Sequence, residues 1–281
     1  MKLLFNPKFL AHNPDSFAEG PYRIEAFIDL VEETDRNGEQ YITLVHGPDH
    51  LNLVREACKK RQVLAEVYLS PESYKAACSA VGLTISASEQ GDFAVVRPPG
   101  HHAKKDRGDG FCLFNNIAIA AQKLVNEGKK VFILDIDGHH GDGTQQVFYD
   151  SDRVLFCSVH QQNAYPWTGT PDETGTGSGS GYTMNFPLPA GSGDPEFLVA
   201  VDAAIEKALD FRPDVVGVSA GFDGYHADRL LGLNYTLDGY YRCGSKLGQA
   251  FGHVFAVLEG GYHLDIPDCA EHFIRGLSEG S

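Results

Sequence analysis

The 281-residue sequence has few basic residues, and this scarcity excludes some common functions of a protein surface. Lysine and arginine together number 23, against 38 aspartate and glutamate residues, which gives a formal net charge of −15 at pH 7. So negative a chain argues against a nucleic-acid-binding surface, because phosphate backbones are bound by basic patches. The charge favours small cationic molecules or basic polypeptide tails as partners.

Cysteine is also sparse and irregularly spaced. The six cysteines include no C-x-x-C pair and no closely spaced framework, so the sequence predicts neither a disulfide scaffold nor a zinc knuckle. No apolar run approaches the ~20 residues of a membrane span, and the first run, KLLF, stops at Asn6-Pro7, too early for a signal peptide. We therefore expect a cytoplasmic protein that does not enter a membrane.

Short β-branched or aromatic runs alternate with amphipathic stretches along the whole chain. Strands are predicted at 2–5, 65–69, 92–96, 130–136, 153–159, 214–220 and 253–260. Helices are predicted at 21–33, 49–60, 71–80, 115–128, 194–210, 238–252 and 265–278. This order predicts one α/β domain over residues 1–281, with a mostly parallel sheet and helices on both faces. The run 168–181, rich in Gly, Ser and Thr, is predicted to be a long ordered loop.

Four of the predicted strands end in unusual polar residues. The strand FAVV runs into RPPGHH, VFILDI into DGHHGDG, VVGVSA into GFDGYHAD, and VFAVL into EGGYH. In an open parallel sheet the ligand crevice lies beyond the carboxyl ends of the strands, so these four endings converge on one rim. We therefore expect the functional site there.

Asp137 and His139 are candidate metal ligands. Residues two apart in extended backbone face the same side, so this pair can share one ion, and Asp223 supplies a third ligand from a neighbouring strand. Two carboxylates and one imidazole leave room for water and a substrate oxygen, as a catalytic site requires. The alternative is an aspartate that caps a helix beside an ordinary loop histidine.

The same strand ends carry candidates for proton transfer: His101, His102, Asp135, Asp142 and Tyr262. The prolines of RPPG stiffen the approach to the tandem histidines, its glycine allows a tight turn, and each aspartate is available as the partner of one imidazole. The tyrosine follows two glycines and can donate a hydrogen bond to a developing oxyanion. The alternatives are polar loop histidines and a tyrosine that only stabilises a turn.

Together, RPPGHHA, GFCLFNN, DIDGHHGDGTQ, SAGFDGY and LEGGYH resemble the histone deacetylase and acetylpolyamine amidohydrolase superfamily, especially its bacterial, class II-like branch. The match runs from about residue 23 to the C-terminus. The resemblance implies a three-layer arginase–deacetylase fold and hydrolysis of an acyl amide of lysine, a polyamine or a related small amine. It also implies a catalytic Zn²⁺ on Asp137, His139 and Asp223, although Fe²⁺ or Co²⁺ would suit the same carboxylate-rich site.

The resemblance also implies roles for the other candidates. His102 is implied to be the general base, with Asp142 behind it, and His101 an electrostatic partner, with Asp135 behind it. Tyr262 is implied to complete the oxyanion site. The substrate channel is implied to involve Gly110, Phe111, Tyr165 and Leu230. Structural K⁺ or Na⁺ is implied at Asp135, Asp137, His139, Ser158 and Val159, and at Phe148, Ser151, Val154 and Tyr182.

The sequence departs from the family pattern in three places. Trp167 stands in a loop that is glycine-rich in the family, the helix near 80–91 is predicted to be shortened, and Leu230 or Leu231 replaces the gatekeeper glutamate of polyamine-selective eukaryotic relatives. Two other functions stay open: an arginase-like ureohydrolase, whose second metal would need more acids than Asp228 offers, and a non-catalytic acyl-ligand-binding module. Self-association as a homo-oligomer is also open.

Overall fold

The fold is built on a parallel eight-stranded sheet, seen in a computed structural model that describes residues 1–13, 16 and 18–280. The strands in these residues are β1 (Leu3–Phe5), β2 (Glu32–Glu33), β3 (Val63–Leu64), β4 (Val67–Tyr68), β5 (Phe93–Ala94), β6 (Val131–Asp135), β7 (Val154–Gln161), β8 (Thr183–Leu188), β9 (Val215–Ala220) and β10 (Val254–Leu258). The sheet order is β2-β1-β5-β10-β9-β6-β7-β8, and every pairing in it is parallel.

Helices pack against both faces of this sheet. They are α1 (Tyr22–Glu25), α2 (Pro48–Lys59), α3 (Pro71–Gln90), α4 (Asn116–Asn126), α5 (Asp142–Phe148), α6 (Asp194–Phe211), α7 (Leu237–Ala250) and α8 (Ile266–Gly280). One group, α2 to α5, contacts the sheet through α3, α4 and α5, and the other group contains α6, α7 and α8. Local sequence sets the helix ends: α7 begins after Thr236, whose hydroxyl accepts the Asp238 N–H, and α3 ends at Gly91 with a φ of +75°.

The central strands are buried along their whole length. All residues of β6, β9 and β10 are buried, as expected for parallel strands that are covered on both faces. The strands β5, β10, β9 and β6 are consecutive neighbours in the sheet, and these are the four that run into the polar motifs. The motifs therefore meet at one edge.

Three element predictions were wrong. The helix predicted at 21–33 stops at Glu25, because the following residues form turns with i→i+3 hydrogen bonds and then the edge strand β2. The strand predicted at 65–69 lies outside the main sheet, in the antiparallel hairpin of β3 and β4. The helix predicted to end at residue 80 continues to Gln90.

The length of α3 follows from burial rather than from intrinsic propensity. Its second half contains glycine, threonine, isoleucine and serine, all weaker helix formers, but nearly every side chain there is buried. Gly82 lies so close to the backbone of Arg36 that a Cβ would have no room. Tertiary packing therefore extends the helix through a segment where the pattern alone predicts its end.

The connection between β7 and β8 contains the predicted long loop, in which the only helical element is the 3₁₀ turn Gly177–Gly179. The strand β8, which was not among the predicted strands, follows this loop and forms one edge of the sheet. Among the residues that the structure describes, no helix combines the length and the apolar character needed to span a bilayer.

Candidate active site

The three candidate metal ligands meet at the carboxyl ends of β6 and β9. One ligand atom each from Asp137, His139 and Asp223 lies within 4.8 Å of the other two. His139 Nδ1 is 2.6 Å from Asp223 Oδ2 and 3.2 Å from Asp137 Oδ1. Both aspartates are buried, and His139 is partly exposed. The structure thus gathers ligands from two motifs that are far apart in sequence.

Main-chain amides hold both carboxylates. The Gly260 N–H donates to Asp137 Oδ2 at 2.7 Å, and the Gly138 N–H donates to Asp223 Oδ1 at 2.6 Å. A Cβ on Gly260 would lie 2.5 Å from Asp137 Oδ2 and 2.7 Å from Asp223 Oδ2, so only glycine fits between them. The two carboxylates are therefore positioned by backbone that belongs to the strand ends.

The charges of this cluster suit a divalent cation. Burial opposes protonation of His139, but the carboxylates of Asp223 and Asp137 outweigh it and raise the pKa of the imidazole to about 10. Burial and the charge of Asp137 raise the pKa of Asp223 to about 7. A positive charge between the buried carboxylates would therefore stabilise both of them in the ionised form. A divalent cation supplies that charge and leaves the histidine neutral, as a ligand must be.

Each of the tandem histidines has one aspartate partner. His101 Nδ1 is 3.0 Å from Asp135 Oδ2, and His102 Nδ1 is 2.9 Å from Asp142 Oδ1. Burial, followed by the positive charge of His101, lowers the pKa of His102 to about 4. Burial also acts against a charged His101, but the carboxylates of Asp137 and Asp135 hold its pKa well above its usual range. His102 is therefore the imidazole able to accept a proton at neutral pH.

Lys104 extends the pair of His102 and Asp142 towards the cavity wall, and no sequence pattern pointed to it. Its Nζ is 2.6 Å from Asp142 Oδ2 and 3.1 Å from Asp109 Oδ2. Asp109 Oδ1 in turn accepts a hydrogen bond of 2.8 Å from the hydroxyl of Tyr165. Burial alone would raise the pKa of Asp142, yet the His102 hydrogen bond and the lysine lower it to about 2. A continuous polar chain thus joins His102 to Tyr165.

A cavity of about 440 Å³ opens above these groups. It is lined by Glu66, His102, Gly110, Phe111, His139, Tyr165, Leu230 and Tyr262. The lining includes all four residues expected for the substrate channel. At Gly110, where φ is +50°, a Cβ would lie 2.5 Å from the His102 ring, so glycine lets the wall approach the imidazole.

Tyr262 presents a protonated phenol to this cavity. Burial raises the pKa of its hydroxyl well above the usual value, so the group remains a hydrogen-bond donor. The Arg23 guanidinium lies 4.9 Å from the centroid of the Tyr262 ring, and Arg23 Nε donates to the Gly261 carbonyl at 2.6 Å. Arg23 is itself buried and paired with Glu19 at 3.0 Å. The buried pair of Arg23 and Glu19 thus holds the loop that carries the phenol.

Asp228 also holds the Tyr262 loop, although the sequence suggested it only as an insufficient second-metal ligand. Its Oδ2 accepts the Tyr262 N–H at 2.7 Å, and its Oδ1 accepts the Leu230 N–H at 2.9 Å. Both oxygens of this buried carboxylate are therefore engaged. The acid lies five residues after Asp223, which was its only signal in the sequence.

Glu66 lines the cavity from the hairpin of β3 and β4, and no sequence pattern pointed to it. Ala65 and Glu66 form the tip of the hairpin with φ values of +52° and +61°, which residues other than glycine rarely adopt. The Ala65 carbonyl accepts the Phe111 N–H at 3.0 Å. This strained tip therefore supports the wall and places a carboxylate at it.

The expected monovalent-cation residues lie in two separate places. The register of β6 and β7 pairs Asp135 with Ser158, and the serine hydroxyl is 2.9 Å from His160 Nδ1. In the second group, the Phe148 carbonyl accepts the Ser151 N–H at 3.0 Å. Cation binding at both places stays a prediction.

The family follows from comparison with known proteins. A histone deacetylase domain model matches residues 18–277, so the chain belongs to the histone deacetylase family. A probable deacetylase of Archaeoglobus fulgidus is 39% identical over 272 residues, covering 91% of this chain and 75% of that protein.

Two solved structures share the fold. The HDA15 HD domain gives a TM-score of 0.92 at 32% identity, covering 99% of this chain and 91% of that one. The acetylpolyamine aminohydrolase from Burkholderia pseudomallei gives a TM-score of 0.87 at 31% identity, covering 100% of this chain and 99% of that one. These likenesses confirm the predicted family and the predicted fold.

Proposed function

We propose that this chain is a Zn²⁺-dependent deacetylase that hydrolyses the acyl amide of lysine, a polyamine or a related small amine. Membership of the histone deacetylase family supports the reaction class. The observation that carries the proposal is the meeting of Asp137, His139 and Asp223 beside a cavity that is also lined by His102 and Tyr262. Amide hydrolysis needs an activated water, a polarised carbonyl and a proton for the leaving nitrogen, and this set of groups serves all three.

Asp137, His139 and Asp223 would hold the ion, which supplies Lewis acidity to the amide carbonyl and makes water more acidic when it is bound. Zn²⁺ fits the two carboxylates and one imidazole, and Fe²⁺ or Co²⁺ fits them as well. The remaining steps belong to the side chains of this protein.

His102 accepts the proton of the attacking water and returns it to the amine as the C–N bond breaks. Its Nδ1 is bonded to Asp142, which fixes the ring and leaves Nε2 for the proton. His101, paired with Asp135, contributes positive charge beside the reacting carbonyl. Tyr262 donates its hydroxyl to the oxygen that becomes negative, a contribution of about 10²–10³ in kcat for a typical oxyanion donor.

The cavity lining supports an acylated amine as the substrate. Gly110, Phe111, Tyr165 and Leu230 provide a mostly apolar passage that fits an uncharged acyl-amide arm. Glu66 adds a carboxylate to that lining, which favours amines that carry further positive charge.

We further propose that residues 1–281 form one cytoplasmic deacetylase domain with structural K⁺ or Na⁺ at the two groups of residues named above. The six cysteines are all unpaired, which suits a reducing compartment. The arginase-like alternative loses support, because Asp228 uses both carboxylate oxygens on backbone N–H groups.

A substrate panel tests the proposed function. We expect Zn²⁺-loaded protein to release amine from acetyl-lysine peptides or acetylpolyamines, and a hydroxamate chelator to stop the release. Arginine and agmatine, assayed in parallel, should give no urea. Absence of metal-dependent amine release from every amide on the panel would refute the proposal.

A further inference from the structure

Trp167 is the single tryptophan of the chain, and it lies exposed beside the active-site cavity. Its side chain is 75% exposed, which is unusual for so large an apolar group. Its ring centroid is 5.5 Å from that of Tyr165, which lines the cavity and lies 5.1 Å from the His102 ring. An arm that leaves the cavity along Tyr165 therefore reaches Trp167 next.

The backbone holds Trp167 in a conformation that a bulky residue rarely adopts. Its φ is +60°, and its N–H donates to the Ala164 carbonyl at 2.8 Å. Such strain persists only where the surrounding structure enforces it, and it is often found at functional sites. The backbone conformation of its loop thus keeps the Trp167 side chain exposed to solvent.

Contacts on both sides of Trp167 anchor this loop. Before it, the Tyr165 hydroxyl donates to Asp109. After it, Gly169 packs so closely on two buried imidazoles that a Cβ would lie 2.5 Å from His160 Nε2 and 2.6 Å from His140 Cγ. The indole is consequently presented by a rigid segment, which lowers the entropic cost of binding a ligand there.

Lys104 at 3.1 Å and Arg107 at 3.5 Å pair with Asp109 beside Tyr165, which leaves Glu66 as the carboxylate of this wall that can attract a cationic ligand. Glu66 is exposed and lines the same cavity as Tyr165. Its charge, after burial and the Asp109 hydrogen bond, contributes to raising the pKa of Tyr165. A carboxylate on the cavity wall and an exposed indole at the next position both attract ammonium and guanidinium groups, because the face of an aromatic ring carries a negative electrostatic potential.

We propose that Trp167 forms an outer subsite that binds a cationic group of the substrate beyond the acyl amide. The inference rests on the proposed deacetylase function and adds a specificity determinant to it. The cation is an ammonium of an acylated polyamine, or a basic side chain next to an acylated lysine in a peptide. Neutral amides fill the cavity without using this subsite.

The emission of the single tryptophan measures binding directly. In Zn²⁺-loaded Tyr262→Phe protein, which minimises turnover during titration, N1-acetylspermidine should change the Trp167 emission in a saturable way. Neutral N-acetylbutylamine should displace a hydroxamate from the cavity yet leave the emission unchanged. Equal responses to both amides, or no response to the cation, would overturn the subsite.

Steady-state kinetics provide the second test, in otherwise wild-type protein. Trp167→Ala should raise KM for N1-acetylspermidine about three- to fivefold, the range of an exposed cation–π contact, without changing kcat or the kcat/KM of the neutral amide. Trp167→Phe should recover part of the loss. Val199→Ala removes an apolar side chain that is 70% exposed on α6, and it serves as the matched control.

The outcomes separate the two proposals. A KM that changes equally for charged and neutral amides, with thermal unfolding like that of the wild type, contradicts the outer subsite. An acetyl-lysine peptide with a flanking arginine, run beside the polyamine, identifies the source of the cation by the larger KM effect. If wild-type protein hydrolyses no amide, the proposed function fails, and the emission titration still decides whether Trp167 binds cations.

Discussion

The phenol of Tyr262 is positioned through the main chain that carries it. Asp228 accepts the Tyr262 N–H, and Arg23 donates to the neighbouring Gly261 carbonyl. The same aspartate accepts the Leu230 N–H, so one carboxylate orders both the oxyanion donor and a cavity wall. Asp228 is thus a positioning residue for the reaction, although it does not line the cavity.

Replacing Asp228 should therefore lower turnover through Tyr262. In Asp228→Asn one carboxylate oxygen becomes an amide N–H₂ that cannot accept, so one of the two backbone hydrogen bonds is lost, and we expect kcat to fall about tenfold, the effect of losing roughly 1.4 kcal/mol. Tyr262→Phe alone should cost about 10²–10³ in kcat. The double variant should be no slower than Tyr262→Phe alone.

Steady-state kinetics and metal analysis of the wild type, the two single variants and the double variant check this prediction. The exposed Asp238 at the start of α7 provides the control substitution Asp238→Asn, which should leave kcat unchanged. Multiplicative losses in the double variant, or loss of bound metal from Asp228→Asn, would show that the residue does not act through Tyr262.

The sequence revealed the residues that stand directly at strand ends. Asp137, His139 and Asp223 could be found because parallel strands bring their carboxyl ends together. Lys104 and Asp228 could not, because their roles depend on contacts that only the folded chain creates. A salt bridge or a carboxylate that accepts a main-chain N–H leaves no spacing pattern in a sequence.

At the scale of elements, the loop between β7 and β8 forms one wall of the cavity. It carries Tyr165 and Trp167, and it is anchored where Gly169 meets the rings of His140 and His160. The φ of Gly169 is +84°, and there is no space for a side chain. The contact of Gly169 with these two histidines therefore sets the position of the cavity wall that the loop forms.

Gly169→Ala should displace this wall and lower activity. We expect kcat/KM to fall about tenfold, since misplacing a substrate-contacting group by a fraction of an ångström is costly, while bound metal stays unchanged. Gly181→Ala is a close control: its φ is +85° in the same loop, but no atom lies within 4 Å of its Cβ position.

Both substitutions should reduce stability by about 1–2 kcal/mol, because alanine disfavours a left-handed backbone, and Gly169→Ala should lose about 1–3 kcal/mol more through overlap with the two histidines. Unfolding midpoints and kcat/KM for both variants separate the two effects. Equal activity losses at Gly169 and Gly181 would mean that contact with the histidines does not position the wall.

Elements were predicted well where pattern and packing agree, and poorly where packing overrides local preference. The apolar run of β6 was found because both faces of the strand are buried. The hairpin tip at Ala65 and Glu66 was missed because a two-residue turn with positive φ normally carries asparagine or glycine. The true end of α3 was missed because burial sustains a weak helical sequence.

At the scale of the whole molecule, buried neutral histidines make stability depend on pH. His46 and His160 are each only 1% exposed, and burial lowers the pKa of both to about 3. In the unfolded chain the same groups bind protons below a pKa of about 6.5. Between these values the unfolded state holds more protons, so acid favours unfolding.

We therefore expect the contribution of each of these histidines to stability to fall by about 1.4 kcal/mol per pH unit as the pH drops below 6.5. His46→Gln keeps an acceptor for the Asn115 N–H but does not titrate, so stability should fall less steeply with acid in this variant. Urea unfolding at pH 7.0 and at pH 5.5 measures how steeply the free energy of unfolding depends on pH in the wild type and in His46→Gln. Identical pH dependence in the two proteins would contradict a neutral, buried His46.

The proposed deacetylase function depends most on a single metal ion held by side chains from two strand ends. The most direct measurement is to titrate Zn²⁺ into metal-free protein while recording bound metal and amine release from an acetylated substrate. We predict saturation at one ion per chain, amine release that rises in step with occupancy, and loss of both in Asp223→Ala. Full hydrolysis by the metal-free chain, or unchanged Zn²⁺ binding by Asp223→Ala, would contradict the proposed metal site.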